Sequence, residues 1–111
     1  MRDLLDGTRP RGRAPSLERL RERRHEILEV CARNGASDAH VFGSVARGEQ
    51  DEESDVDLLV AMEGGRSLFD LAGLILELEQ LLGCPVNVVT RGGVRAGSRF
   101  AERMRNELVP L

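Results

Sequence analysis

Two aspartates lie two residues apart in the run Ser54-Asp55-Val56-Asp57-Leu58-Leu59-Val60. Val56, Leu58 and Val60 alternate with Asp55, Asp57 and Leu59. That is the pattern of a β-strand, and residues two apart on a strand share a face. The two carboxylates are therefore expected side by side. Carboxylates held that close repel and raise each other's proton affinity, and a cation relieves the repulsion. Adjacent oxygen ligands suit Mg²⁺, which takes one or two carboxylates and completes its octahedron with water and substrate phosphates. Upstream, Gly43-Ser44 follows a short apolar stretch. Glycine lets a backbone approach a ligand closely. Ser44 is expected to cap a short helix whose free N–H groups face an anion. Arg47 is the first arginine near this cradle. It is placed either to touch a phosphate or to pair with a carboxylate and hold the loop. An anion cradle and a metal-binding carboxylate pair, one short loop apart, describe a site for a nucleoside triphosphate.

The combined pattern, Phe42-Gly43-Ser44-Val45-Ala46-Arg47-Gly48 followed by Ser54-Asp55-Val56-Asp57-Leu58, resembles the DNA polymerase β-like nucleotidyltransferase superfamily. Its short form is most similar to the minimal nucleotidyltransferases, and the resemblance covers residues 16–111. A bare Asp-x-Asp carries little information; the spacing and strand context make the combined motif specific. Charges that blunt an exposed edge strand are the plain alternative for Asp55 and Asp57, but they leave Gly43-Ser44 unexplained.

The resemblance implies a small polymerase β-like fold of the α/β class. It also implies a Mg²⁺-dependent enzyme, with Mn²⁺ as a possible substitute, that uses ATP as nucleotide donor. Relatives of this kind are typically antitoxins that transfer AMP to a hydroxyl, often a tyrosine, of a helical HEPN-domain toxin. A hetero-oligomer with such a toxin is the implied assembly. By this resemblance Asp55, Asp57 and Asn87 take the catalytic positions, Asp55 and Asp57 hold the metal, and Gly43, Ser44 and Arg47 bind the nucleotide.

Asn87 is where the sequence departs from the superfamily. A third acidic residue usually lies on the strand after the Asp-x-Asp strand. There it helps hold one metal and assists deprotonation of the attacking hydroxyl. The matching position here is Asn87, between Val86 and Val88. Alternation turns its side chain away from those valines and toward the site. An amide is neutral and cannot act as a general base. Loss of that role typically costs roughly 10²–10⁴-fold in rate. Two outcomes follow: a slow or substrate-assisted transferase, or an antitoxin that neutralises its toxin by binding alone. Glu63 or an acid from a partner are the substitutes to consider, and the sequence places neither.

The elements that must position these residues can be read in order. Residues 1–15, rich in Arg, Pro and Gly, cannot bury a core and read as a flexible arm; residues 16–111 form the nucleotidyltransferase-like domain. Ser16 caps a helix expected to run to Asn34, with Leu17, Leu20, Ile27, Leu28 and Cys31 on one face. Gly35 stops it. Residues 38–42 form a first strand and residues 56–62 a second. His40 has no partner at metal-ligand spacing and stays outside the site. Ser67 and Asp70 have the spacing of a capping box for a helix whose core stripe is Leu71, Leu74, Ile75, Leu78, Leu81 and Leu82, ended by Gly83. Residues 85–90 form a third strand. After a loop over 91–97, Ser98 caps a last helix with Phe100, Met104 and Leu108 in line. The apolar tail 109–111 either closes the core or docks on another chain. Together these predict a mixed sheet of three or four strands with helices largely on one side, and the site where cradle and carboxylates meet.

Composition excludes several classes. The chain has 111 residues, which suits one compact domain. Its net charge is −3, and it lacks Trp and Tyr, which argues against direct nucleic-acid binding through bulk charge or aromatic stacking. An arginine-rich first helix is the one feature that favours RNA, and acids three or four residues away make a solvated face the simpler reading. All 16 basic residues are arginines, so a P-loop lysine, a Schiff-base lysine and a Ser-Lys dyad are absent. Cys31 and Cys84 lie in apolar contexts and read as buried free thiols of a cytoplasmic protein. No apolar run reaches membrane-spanning length.

Overall fold

The computed structural model describes residues 14–51, 54–94 and 97–111. The expected arm lies outside the described residues except for Ala14 and Pro15, and Ala14 is buried in the main core. Two short helices open the described chain, α1 (Leu17–Glu22) and α2 (Arg24–Arg33). The Ser16 hydroxyl caps α1 by accepting from the Arg19 N–H at 3.2 Å. A single helix to Asn34 was expected; the chain instead breaks at Arg23, which leaves helical geometry at φ −106°, ψ 17°. A tertiary contact coincides with the break. The Arg23 guanidinium donates at 2.6 Å to the Leu81 carbonyl near the end of a later helix, where helix carbonyls lack partners of their own.

Strand β1 (Ala36–Phe42) runs into α3 (Gly43–Arg47). Strand β2 (Val56–Met62) follows, then α4 (Leu68–Leu82), β3 (Val86–Thr90), a 3₁₀ turn over Arg91–Gly93, α5 (Arg99–Glu107) and the two-residue β4 (Val109–Pro110). The Ser67–Asp70 capping box is present at the start of α4, Gly83 ends that helix in the left-handed region, and Ser98 caps α5. β1 begins two residues earlier than the sequence suggests. Ser37 opposes Ala61 but His40 opposes Leu59, so β1 carries one extra residue against β2. Such a bulge leaves a residue unpaired, and Asp38 takes up the irregularity at φ 54°.

The sheet order is β3-β2-β1-β4, with β2 and β3 parallel and the other pairs antiparallel. A helix must intervene to make β2 and β3 parallel, and α4 is that crossover. The tail closes the sheet: Val109 pairs with Val41, and Leu111 packs against the core.

The alternation read in β2 sorts the core into two layers. Val56, Leu58 and Val60 point to the large core, which takes Leu20, Ile27, Val30 and Cys31 from α1 and α2 and Leu74 and Leu78 from α4. Leu59 points the other way and meets Phe42 and Met104. Helix α5 thus covers the opposite face, an exception to the expectation of helices largely on one side. Asp57 shares that second face with Leu59, so α5 borders the candidate site.

Candidate functional site

The carboxylate pair is held as a unit. Asp57 lies within β2 and Asp55 one residue before it, and both are half-buried. The parallel register sets Asp57 opposite Asn87 on β3. The Asn87 Nδ2 donates to Asp55 Oδ2 at 2.9 Å and to Asp57 Oδ1 at 3.2 Å. One polar group therefore stands within hydrogen-bonding distance of both carboxylates, on the face the alternation assigned. The backbone N–H of Val56, between the two aspartates, donates to the Pro85 carbonyl at 3.0 Å and locks this end of β2 to β3.

The environment of Asp57 is costly for its charge. Burial pushes its carboxyl above the usual carboxylate range. The Asn87 hydrogen bond pulls it back, Asp55 pushes it up again, Arg47 lowers it, and the Glu107 carboxylate adds a further upward push.

Gly43 sits at the turn from β1 into α3, where two constraints demand glycine. Its φ is +75°, in the left-handed region, and a Cβ there would collide with Asp57 Oδ2. The cradle backbone therefore packs directly against the Asp57 carboxylate. Ser44 does not act as the expected cap. It lies inside α3, whose N-cap is Phe42, a residue with no side-chain acceptor to offer. Arg47 pairs with carboxylates: its Nε donates to Glu49 Oε2 at 3.2 Å and its Nη1 to Glu107 Oε1 at 2.8 Å.

Glu107, the last residue of α5, has no counterpart in the sequence reading. Its Oε2 accepts from the Gly43 N–H at 3.3 Å while its Oε1 meets Arg47. The signal available in the sequence was its place between Met104 and Leu108, the two residues that seat α5 on the sheet; which strand end it would reach was not encoded locally. Glu63 lies at the far end of β2, where it pairs with Arg66 at 3.0 Å, and is not a substitute for the third acid. His40 is likewise apart, its Nδ1 beside Arg91 Nη2 at 3.1 Å.

Asp55 and Asp57 fit a divalent cation as a two-carboxylate platform, since an oxygen of each reaches the same donor atom. Among the described residues no cluster of three or more His, Cys, Asp or Glu converges as a complete metal cage. Mg²⁺ commonly completes its shell with water and substrate phosphates rather than protein ligands, so the donor set suits an ion that arrives with a nucleotide. A surface depression of about 240 Å³ lies farther along the same sheet face, floored by Leu59 and Met104 with Arg91 and Arg105 at its sides. Asp55, Asp57 and Asn87 do not line it.

Comparison with known proteins places the chain among relatives. Residues 24–108 match the nucleotidyltransferase domain family. A candidate protein adenylyltransferase of Methanocaldococcus jannaschii, MJ0435, is 39% identical over 92 residues, spanning 83% of this chain and 97% of that protein. The protein adenylyltransferase MntA of Thermococcus cleftensis is 42% identical over 81 residues, spanning 73% of this chain and 80% of its own. A solved structure of a candidate minimal nucleotidyltransferase superposes with a TM-score of 0.76 at 52% identity, covering 87% of this chain and 97% of that one. A chain from a toxin–antitoxin structure with AMP-PNP superposes with a TM-score of 0.65 over 78% of this chain and 69% of its own, and at 18% identity that likeness is one of fold. The paired aspartates facing a glycine turn and the match over most of the chain lead to one conclusion: this chain belongs to the nucleotidyltransferase domain family.

Proposed function

We propose that the chain transfers AMP from ATP to a hydroxyl on a protein partner, and that the partner is a HEPN-domain toxin whose antitoxin it is. The observation that carries the reading is the convergence of Asp55 and Asp57 on one donor atom, with Asp57 also packed against Gly43. The motif resemblance and relatives named as protein adenylyltransferases support the choice of acceptor class.

In the proposed reaction the acceptor oxygen bonds to the α-phosphorus as the bond from that phosphorus to the bridging oxygen breaks. Pyrophosphate leaves, and the hydroxyl proton is lost to solvent or to a substrate phosphate. Asp55 and Asp57 would hold Mg²⁺ or Mn²⁺, which neutralises the triphosphate and stabilises charge on the attacking and leaving oxygens. Gly43, with Asp57 packed where a side chain would stand, would offer its backbone N–H to the phosphates, and Ser44 would add a hydroxyl. Asn87 keeps the two aspartates together and takes no proton itself.

The neutral amide of Asn87 also favours a second reading, an antitoxin that binds its toxin without modifying it. Incubation of α-phosphate-labelled ATP with Mg²⁺ or Mn²⁺ and the product of the neighbouring gene separates the two. Label on that partner, lost in an Asp55→Ala, Asp57→Ala double variant, is the expected result. A stable complex that takes up no label with any of the four nucleotides would support binding alone.

A further inference from the structure

Two of the donors at the phosphate end of the proposed nucleotide site, the Gly43 N–H and the Arg47 guanidinium, are already engaged by a carboxylate of the chain itself. Glu107 Oε2 accepts from the Gly43 N–H at 3.3 Å, and Glu107 Oε1 accepts from Arg47 Nη1 at 2.8 Å. We infer that Glu107 is a built-in competitor of the nucleotide, holding the phosphate end closed until a polyanion displaces it. The inference rests on the proposed nucleotide site and adds to it the residue that sets affinity.

The surroundings of Glu107 support displacement by a side-chain swing. Its backbone is pinned on both sides: Met104 is buried against Leu59 and Phe42, and Val109 is hydrogen-bonded into the sheet opposite Val41. Helix α5 therefore stays in place while the carboxylate rotates away. The Glu107 side chain is only 17% exposed, against 41% for Arg47 and 65% for Glu49, so its closed position is packed as well as charge-paired. Arg47 keeps an alternative partner, Glu49 at 3.2 Å, when Glu107 leaves. A backbone N–H donates one strong hydrogen bond, so Glu107 and a phosphate oxygen exclude each other at Gly43. Their like charges add to the exclusion.

The test is the affinity of the full chain for ATP, AMP and adenosine, measured by calorimetry with Mg²⁺ in wild type and Glu107→Gln. Removing one part-buried charge pair and one repulsion is expected to tighten ATP binding by about threefold to tenfold, with a smaller gain for AMP and none for adenosine. A purely structural role for Glu107 would not grade with phosphate number. Glu107→Asp keeps the charge but falls short by one methylene, and is expected to gain ATP affinity to a lesser degree; it serves if the glutamine variant folds poorly. ATP binding that is unchanged or weaker in both variants overturns the role of Glu107 and leaves the nucleotide site standing. No ATP binding by wild type or either variant overturns the nucleotide site and this inference with it.

Discussion

Asn87 and Asp57 are cross-strand partners on the parallel ladder between β2 and β3, and the Asn87 amide donates to Asp57 Oδ1 at 3.2 Å while also reaching Asp55. A neutral donor between two carboxylates offsets part of their repulsion without a metal. Asn87→Asp would replace that donor with a third negative charge. The variant is expected to melt at a lower temperature than wild type in chelator. It is also expected to gain more stability from added Mg²⁺, because binding to the folded state alone stabilises it. Thermal melts with and without Mg²⁺ check both; an Asn87→Asp protein as stable as wild type in chelator would show that the amide does not hold the pair.

Gly43→Ala tests the contact between cradle and carboxylate. An L-residue held in the left-handed region costs about 1–2 kcal/mol, and the added methyl must push Asp57 aside. Nucleotide binding is expected to fall more than stability does. Denaturant unfolding alongside ATP titration measures the two, and a variant that binds ATP like wild type would contradict the geometry.

Glu79 supports β3 from within the core. It is 2% exposed and accepts from the Val86 N–H at 3.0 Å, one residue before Asn87. Glu79→Ala leaves that buried donor unpaired, with an expected loss of about 1–3 kcal/mol. Glu79→Gln keeps an acceptor and is expected to lose less. Equal losses in the two variants, read from urea unfolding, would mean that the hydrogen bond is not what matters there.

The thiols give a pH dependence. Burial pushes both Cys31 and Cys84 up to about 11 from an ordinary 9.0. The fold thus favours the neutral thiols. Their contribution to stability is complete below the unfolded value and is lost as pH rises from about 9 toward 11. Native protein at pH 8 is expected to resist alkylation, with both thiols reacting after unfolding. Rapid labelling of the folded protein would show that the sites open.

What was legible in the sequence was what is local. Alternation around Asp55 and Asp57 predicted their common face, and Ser67, Gly83 and Ser98 marked helix ends that the structure keeps. What was not legible depends on distant partners. The break at Arg23 comes with a contact to the distant Leu81 carbonyl, and the bulge at Asp38 appears only in the pairing with β2. Glu107 reaches Gly43 because α5 crosses the face opposite α4, a choice that periodicity within α5 does not encode. Of the two carboxylates on Arg47, Glu49 is a local partner, while Glu107 stands sixty residues away and could not be read from the sequence around Arg47.

The most direct test of the account is to co-express the neighbouring gene product with wild type or with the Asp55→Ala, Asp57→Ala variant, and to record host growth and the intact mass of the partner. Wild type is expected to restore growth while the partner gains the mass of AMP, and the double variant is expected to do neither. Restored growth with the double variant, and a partner of unmodified mass in both cases, would contradict catalysis at these carboxylates and leave a protein that acts by binding.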